Sequence, residues 1–339
     1  MRLIKTEDAV GHVLCHDMTQ IIKDQYKDAR FRKGHVVTEE DIPVLLSMGK
    51  EHLYVWEMTS GMVHENDAAE RLLALCGQEN MIRSGVKEGK IELKAACDGV
   101  FLVDSARLVA VNSQDEVMIA TRKSGMAVRE GDKLAGMRVI PLIIEEEKLR
   151  KAEQAAGDKP LLSLKPYVRK TACIVATGGE VKKGLIKDTF TPVVIDKLKT
   201  YGIETLEVVY SGDGVENVRD AVLAMREKKP DMILCTGGMS VDPDDNTPGG
   251  IKAAGANIIA YGAPVLPGAM FLLGYFDDGM PVMGLPGCVM YAGATVFDLV
   301  LPKIAADVPV TCADLAALGE GGLCLGCKPC HYPICPFGK

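Results

Sequence analysis

The chain has 339 residues, of which 47% are hydrophobic and 25% charged, and its mean hydropathy is +0.10. This composition argues against a disordered or membrane-embedded chain, and the length predicts two or three domains of about 100–200 residues each. The 39 Lys and Arg and the 46 Asp and Glu give a net charge of −7 without a basic block, which argues against nucleic-acid binding. Because no apolar run approaches the ~20 residues of a membrane span and no secretory signal is recognisable, we expect a cytoplasmic protein that binds no membrane.

The first 57 residues predict a small α+β segment. Apolar residues recur near helical spacing over residues 37–48, and residues 51–56 have the composition of a short strand. A further helix is predicted over residues 66–77, where a terminal glycine supplies the stop signal.

Residues 58–150 predict a smaller β-rich domain, in which turn residues separate short runs of β-forming side chains. The strand-like runs are residues 90–95, 107–111 and 116–121. A charged, alanine-containing stretch at residues 145–157 predicts an exposed helix. We place the linker to the next domain at residues 151–167.

After residue 168 short apolar runs alternate with amphipathic helices. The predicted strands are residues 171–177, 203–210 and 231–236, and the predicted helices are residues 188–201 and 215–228. This alternation predicts an α/β domain over residues 168–310, a three-layer sandwich whose mostly parallel sheet is covered on both faces. Such sheets bind ligands at the carboxyl ends of their strands.

Two of these strands end in the same Thr-Gly-Gly turn, at residues 177–179 and 236–238. Glycine lets the backbone approach a ligand closely, and the hydroxyl and N–H groups of such a turn can surround a phosphate. The repeated turn therefore favours a binding site. Glycine turns that merely connect strand to helix remain an alternative.

The second turn continues into an acidic loop with Asp242, Asp244 and Asp245. Three carboxylates so close together favour a compensating Mg²⁺ ion or a donor-rich ligand. The alternative is a solvated turn before a helix that starts near Thr247. Asp188 and Asp213 are expected at the same strand ends, although each could instead cap a helix N-terminus.

Two Pro-Gly turns, at residues 267–268 and 286–287, each follow an apolar run. The second turn precedes a helix predicted over residues 288–305. A helix N-terminus behind such a turn can bind an anion.

In this order, the motifs resemble the molybdopterin-binding domain of the molybdopterin molybdotransferase family, which includes MoeA and gephyrin. Residues 8–19 are also similar to the opening of that family. The resemblance implies a domain that binds molybdopterin or its adenylylated form and that, in the true transferases, inserts molybdate with Mg²⁺. The residues expected to contact this ligand are Thr177, Gly178, Gly179, Glu180, Asp188, Asp213, Gly237, Gly238, Ser240, Asp242, Asp245, Pro267, Gly268, Pro286 and Gly287.

Three positions depart from the family pattern. Ala269 replaces a lysine, Cys288 replaces an asparagine, and Asp242 replaces a glycine. The first departure removes a cation, and the third adds negative charge beside an anionic ligand. The sequence therefore predicts that the binding scaffold is kept while the insertion chemistry is weakened.

The resulting hypothesis is a protein that binds the molybdenum cofactor during its biosynthesis, carriage or insertion. Its expected partners are the small pterin ligand, a molybdenum enzyme or another cofactor-biosynthesis protein, and a second copy in a homodimer. The alternatives are an active molybdotransferase, a relative of the competence-damage-inducible nucleotide hydrolases, and a noncatalytic scaffold.

The C-terminal tail, residues 311–339, is rich in cysteine and begins its cysteine run after a glycine-rich linker at residues 319–322. Thiolates at two-residue spacing can meet one metal centre, and both an iron–sulfur cluster and zinc fit the pattern. His331 is a spare ligand, and a flexible tail of reduced thiols is the alternative. The predicted metal ligands are Cys324, Cys327, Cys330 and Cys335.

Overall fold

The computed structural model describes residues 2–22, 26–55, 61–182, 184–243 and 245–339, without the side chain of Tyr26. The contacts divide the chain into two compact units. Unit 1 comprises Met1–Ala96, Val103–Ser124 and Gly131–Ser163, and unit 2 comprises Cys97–Leu102, Gly125–Glu130 and Leu164–Lys339. In the described ranges, no helix combines the length and the apolar character that a membrane span requires.

The elements before residue 167 are mostly short strands. In chain order they are β1 (Arg2–Lys5), β2 (Met18–Ile22), β3 (Tyr26–Phe31), α1 (Asp41–Ser47), β4 (His52–Val55), β5 (Met62–His64), α2 (Glu65–Cys76), β6 (Met81–Arg83), β7 (Ile91–Ala95), β8 (Gly99–Val103), α3 (Ser105–Asn112), β9 (Val117–Thr121), β10 (Met126–Val128), β11 (Lys133–Val139), β12 (Ile143–Glu145), α4 (Glu146–Ala156) and β13 (Leu162–Pro166).

The elements after residue 170 alternate between strand and helix up to β17. They are β14 (Thr171–Thr177), α5 (Gly179–Lys182), α6 (Phe190–Lys199), β15 (Glu204–Ser211), α7 (Val215–Glu227), β16 (Met232–Thr236), α8 (Thr247–Ala253), β17 (Asn257–Tyr261), β18 (Leu272–Tyr275), β19 (Pro281–Leu285), α9 (Val296–Ala305) and α10 (Cys312–Ala317).

Unit 1 contains an antiparallel sheet in the order β6-β7-β11-β9, against which α2 packs. Alternate residues along its strands are buried, because successive side chains of a strand point to opposite faces of the sheet and only one face is covered. The predicted strands at residues 90–95 and 116–121 are confirmed as β7 and β9. The predicted helices at residues 37–48, 66–77 and 145–157 are confirmed, within a few residues, as α1, α2 and α4.

The strand predicted over residues 107–111 is wrong, because these residues lie inside α3. The Asp104 side chain accepts a hydrogen bond from the Arg107 N–H at 3.0 Å, which caps the first turn of the helix. A short apolar run by itself does not distinguish a strand from a helix, and here the Asp104 cap favours the helix. The strand predicted over residues 51–56 is observed as β4, while Trp56 lies outside the described residues.

Unit 2 is built on a six-stranded sheet in the order β15-β14-β16-β19-β18-β17. The pairs β14–β15, β14–β16 and β16–β19 are parallel, and β18 runs antiparallel to both β19 and β17. The strands predicted over residues 171–177, 203–210 and 231–236 are confirmed as β14, β15 and β16.

The central strands of this sheet are buried on both faces. In β14, Ala172 and Ile174 face one apolar cluster, in which α6 and α9 pack. Cys173 and Val175 face a second cluster, in which α7 and α8 pack. Each fully buried aliphatic or aromatic side chain contributes about 1.5–3 kcal/mol to folding. The two clusters confirm the predicted three-layer α/β sandwich.

The helix predicted over residues 288–305 is partly wrong. Residues Gly287–Met290 form a short 3-10 helix, and α9 begins only at Val296. The Asp298 carboxylate accepts from the Thr295 N–H at 2.7 Å, while Thr295 Oγ1 accepts from the Phe297 N–H. This capping box fixes the start of the helix, so the earlier Pro-Gly turn does not.

A buried histidine joins two segments of unit 1. His64 Nε2 donates to the Cys15 carbonyl at 2.7 Å, and His64 Nδ1 accepts from the Asn66 N–H at 3.2 Å. Since a carbonyl only accepts and an amide N–H only donates, the ring is held neutral with its proton on Nε2. Burial, with a contribution from the Lys33 charge, lowers the pKa of His64. Burial also lowers the pKa of nearby His16.

We expect the free energy of unfolding to decrease as the pH falls below 6.5, the ordinary pKa of histidine. In that range the unfolded chain takes up protons that folded His64 and His16 resist, so acid favours unfolding. Urea unfolding measured between about pH 7.5 and about pH 5 tests this. His64→Gln should flatten the dependence, whereas the same change at exposed His52 should not. Parallel curves for wild type and His64→Gln would contradict the assignment.

Candidate functional site

The carboxyl ends of four parallel strands lie along one edge of the unit 2 sheet, here called the rim. The register pairs Thr177 with Ser211, and Thr236 with Leu285, so the turns after these residues stand side by side. Because β18 runs antiparallel to β19 and starts opposite Gly284, the β17–β18 loop reaches the same edge. All four glycine-containing turns, with Gly178, Gly237, Gly268 and Gly287, therefore lie at the same edge of the sheet.

Hydroxyl groups tie the two Thr-Gly-Gly turns together. Thr177 Oγ1 lies 2.9 Å from the Thr236 carbonyl oxygen, and Thr247 Oγ1 lies 2.9 Å from the Gly237 carbonyl oxygen. The two hydroxyl oxygens are also 3.0 Å apart. The ends of β14 and β16 and the start of α8 thus form one hydrogen-bonded unit, the threonine network.

Two glycines of this unit leave no room for a side chain. A Cβ atom on Gly237 would lie 2.3 Å from the Thr177 carbonyl oxygen, and one on Gly238 would lie 2.7 Å from Thr247 Oγ1. Their φ angles, +79° and +56°, also favour glycine. Gly238 is partly exposed, and its N–H donates to no described residue. The second glycine turn therefore keeps one donor without an acceptor among the described residues.

The acidic loop is closed by hydrogen bonds of its own. Asp245 Oδ2 accepts from the Ser240 N–H at 2.9 Å, and the Asp245 N–H donates to the Asp242 carbonyl at 2.9 Å. Asp245 is half-buried and Asp242 is exposed. Asp244 lies outside the described residues. The loop holds Asp245 beside the second glycine turn.

Asp188 and Asp213 are both used as caps. Asp188 Oδ1 accepts from the N–H groups of Phe190 and Thr191, the first residues of α6. Burial opposes ionisation of this carboxyl, but these hydrogen bonds and one from Tyr210 outweigh it, and the pKa of Asp188 is lowered. Asp213 accepts from the Gly179 N–H at 3.1 Å and so joins the β15–α7 turn to the first glycine turn, where α5 begins. Helix capping, the alternative role expected from the sequence, therefore holds for both carboxylates.

The Pro-Gly turns differ in exposure. Gly268 is buried, and a Cβ atom there would lie 2.6 Å from Val296 Cγ1. Close packing against the first residue of α9 therefore requires glycine at this position. Gly287 is exposed, and nothing lies within 4 Å of the position that its Cβ would take. Only the second turn therefore offers open backbone at the rim.

Lys182 is a cation at the rim that the sequence analysis missed. It ends the short helix α5, and its Nζ lies 3.9 Å from the position that a Cβ atom on Gly212 would take. Gly212 follows β15, in the turn before α7. Lys182 is exposed and forms no ion pair with a described residue. Its proximity in sequence to the first Thr-Gly-Gly turn was the available signal.

Apolar side chains are exposed in the rim loops. Leu185 and Ile186 follow α5 and are 71% and 56% exposed, Val241 in the acidic loop is 84% exposed, and Tyr291 after the 3-10 helix is 77% exposed. Exposed apolar side chains grouped around polar donors are typical of ligand or partner surfaces. A separate cavity of about 630 Å³ lies between α6 and the edge strand β15, and none of the predicted site residues lines it.

The structure describes all four predicted metal ligands, but it does not bring their side chains together. Cys324 and Cys335 are half-buried, and Cys327 and Cys330 are exposed. Within the part of the chain that the structure describes, no three His, Cys, Asp or Glu side chains are arranged to hold a metal ion. This also applies to the acidic loop, so a Mg²⁺ site there stays a prediction from the sequence, as does the metal centre of the tail.

Residues 173–306 match the family model described as a probable molybdopterin binding domain, and residues 3–57 match a domain of unknown function. The chain is similar to CinA-like proteins of Mycobacterium tuberculosis, at 33% identity over 76 residues, and of Petrotoga mobilis, at 32% over 76 residues. These matches cover 22% of this chain and only 18% and 19% of the respective relatives. The predicted molybdopterin-binding domain is supported, whereas the curated relatives named here are CinA-like and not MoeA-like.

Among solved structures, the CinA protein of Thermoplasma acidophilum is 18% identical with a TM-score of 0.34, and the match covers 40% of this chain and 98% of that one. The molybdopterin biosynthesis enzyme MoaB of Thermus thermophilus is 17% identical with a TM-score of 0.35, covering 41% and 98%. A molybdenum cofactor biosynthesis protein of Pyrococcus furiosus is 13% identical with a TM-score of 0.27, covering 93% and 64%.

We expect Gly237→Ala to destabilise the protein more than an alanine at a comparable open turn. Gly279 is the matched control, because its φ is +81° and nothing lies within 4 Å of its Cβ position. Backbone strain alone should cost about 1–2 kcal/mol at either site. The clash with Thr177 should add about 1–3 kcal/mol at Gly237. Equal losses in urea unfolding would show that the close approach of the two turns is not required.

Proposed function

We propose that the rim of unit 2 binds molybdopterin or its adenylylated form, and that the protein acts in biosynthesis, carriage or insertion of the molybdenum cofactor. One observation carries the proposal: within the segment that matches the molybdopterin-binding family, the second glycine turn leaves the Gly238 N–H without an acceptor among the described residues. A free N–H group in such a turn favours an anionic ligand.

The phosphate of the ligand would lie over the glycine turns. Gly238 offers a donor, and Lys182 offers a positive charge beside the β15–α7 turn. The start of α7 adds its own free donors, because its N-cap residue Gly214 has no side chain to satisfy them. These groups fit an anion, although the net charge of the chain is negative.

The pterin ring would lie toward the acidic loop. Pterin carries amino and ring N–H donors, and Asp245 Oδ1 accepts no hydrogen bond from a described residue. Asp245 Oδ1 would therefore accept hydrogen bonds from the donor edge of the ring, while Asp245 Oδ2 keeps the loop closed through its hydrogen bond with the Ser240 N–H. Tyr291 and Val241 supply exposed apolar surface nearby for the ring face.

Binding and carriage fit this rim better than molybdate insertion. Ala269 stands where the family has a lysine, so the Pro267-Gly268 turn lacks that cation. Lys182 lies at the opposite end of the rim, beside β15. Exposed Asp242 adds negative charge next to the second glycine turn. Catalysis of insertion needs positive charge aimed at the reacting oxyanion, and the described rim has none at that turn.

A second candidate is a nucleotide bound at the same rim. It is favoured by the match to CinA-like proteins and by the resemblance to the competence-damage-inducible nucleotide hydrolases. A nucleotide would use the same phosphate donors but would not need the acceptor of Asp245. Parallel calorimetric titrations with molybdopterin and with ADP separate the two candidates.

We expect Asp245→Ala to weaken molybdopterin binding by about 1–3 kcal/mol, because a buried donor on the ring would lose its partner. Anaerobic calorimetry or quenching of pterin fluorescence measures the change. Asp277→Ala is the matched control, since Asp277 is an exposed carboxylate in the turn at the opposite edge of the sheet. Unchanged affinity in Asp245→Ala would show that the acidic loop is only a solvated turn.

We also expect Lys182→Gln to weaken binding and to reduce its dependence on salt, because one cation would no longer face the phosphate. Lys252→Gln, which removes an exposed cation at the far end of α8, should leave both quantities unchanged. Titrations at two ionic strengths measure the effect. The same salt dependence in Lys182→Gln and wild type would place the phosphate elsewhere.

A further inference from the structure

Tyr261 ends β17, the edge strand of the unit 2 sheet, and its hydroxyl reaches the acidic loop. The hydroxyl donates to the Met239 carbonyl at 3.0 Å and lies 3.5 Å from the Ser240 carbonyl oxygen. Since β18 is antiparallel to both β17 and β19, the strands β17 and β19 run in the same direction and end at the same edge. Tyr261 is therefore a side chain of the rim, although no motif in the sequence marks it.

A row of paired residues explains how Tyr261 reaches the loop. The register pairs Tyr261 with Leu272 in β18, and Leu272 with Gly284 in β19. Directly paired residues of antiparallel strands have their side chains on the same face of the sheet. A Cβ atom on Gly284 would lie 2.5 Å from Met239 Sδ, so the buried side chain of Met239 occupies the space above this glycine. The residue that opens the acidic loop thus packs on the row that Tyr261 ends.

One peptide unit connects Tyr261 with Asp245. The Met239 carbonyl, which accepts from Tyr261, and the Ser240 N–H, which donates to Asp245 Oδ2, belong to the same peptide bond. Because that bond is planar, its C=O and N–H groups cannot turn independently of each other. The hydrogen bond from Tyr261 therefore fixes the direction of the N–H group that holds Asp245.

The Tyr261 hydroxyl keeps its proton at neutral pH, as a donor must. Burial, with a contribution from the Asp245 charge, raises the pKa of Tyr261 from its ordinary value of 10.0. The side chain is still 46% exposed, so it stands at the open side of the loop. The phenol is thus a stable donor next to the carboxylate that the loop presents.

We propose that Tyr261 is a positioning residue, which directs Asp245 at the bound pterin ring through the Met239–Ser240 peptide. The proposal rests on the function proposed above, in which Asp245 Oδ1 accepts hydrogen bonds from the ring. With the peptide fixed, Asp245 Oδ2 is occupied by the Ser240 N–H, and Oδ1 is left for the ligand. Without the Tyr261 hydroxyl the peptide can turn, and Asp245 loses the group that orients it.

Hydrogen exchange of the ligand-free protein tests the positioning role without any assumption about the ligand. In Tyr261→Phe the Ser240 N–H should exchange about 3- to 10-fold faster than in wild type, as expected for the loss of one hydrogen bond. Tyr167→Phe is the matched control and should leave this rate unchanged, because the Tyr167 hydroxyl also donates to a backbone carbonyl, that of Gly99, at 2.9 Å. Equal rates in Tyr261→Phe and wild type would overturn the proposal.

Calorimetric titration with molybdopterin tests the consequence for binding. Tyr261→Phe should weaken binding about 3- to 10-fold. In an Asp245→Ala background the same change should have no further effect, because Tyr261 acts through Asp245. Full additivity of the two changes would exclude this route, as would unchanged affinity in Tyr261→Phe when Asp245→Ala alone weakens binding.

Failure of the proposed function gives a different result. In that case wild type does not bind molybdopterin, or Asp245→Ala binds it as tightly as wild type. The exchange rate of the Ser240 N–H then decides by itself whether Tyr261 positions the loop.

Discussion

Strand β14 pairs in parallel with β15 on one side and with β16 on the other, and the arrangement of the rim depends on this pairing. Parallel pairing brings the ends of the three strands to one edge, and the burial of both faces of β14 fixes the register. A shift of one residue would exchange the two apolar clusters and would separate Thr177 from Thr247. The threonine network, whose residues are themselves buried, is therefore a consequence of core packing.

Helix capping determines which backbone groups of the rim remain available. Asp188 satisfies the first N–H groups of α6, Asp213 satisfies Gly179, and the Thr295–Asp298 box satisfies the start of α9. A helix N-terminus that is already capped offers little to an anion. The free donors are thereby concentrated at Gly238 and at the start of α7. Asp188 and Asp213, which belong to the motif found in the sequence, thus satisfy N–H groups at the starts of α6 and α5. Only the few donors that the caps leave unsatisfied remain for a ligand.

The sequence was most informative where one local cause dominates. The predicted bounds of β14, residues 171–177, agree with the observed ones because a strand buried on both faces is an uninterrupted apolar run. The glycine turns were found because each of them directly follows such an apolar run. Residues 107–111 and the start of α9 were misassigned, since in both cases a capping side chain overrode the apolar pattern. These caps are readable in sequence once they are weighed against neighbouring turns.

Contacts between distant residues could not be predicted in this way. Thr177 and Thr247 are 70 positions apart, and no periodicity relates them. Their two hydroxyl protons serve three short oxygen–oxygen contacts, so the network has several proton arrangements with the same heavy-atom positions. In each arrangement that bridges the two hydroxyls, one carbonyl of the second glycine turn is left free to accept. Rotation of a hydroxyl alone can thus exchange these arrangements, which gives the buried network a local polarisability without backbone movement.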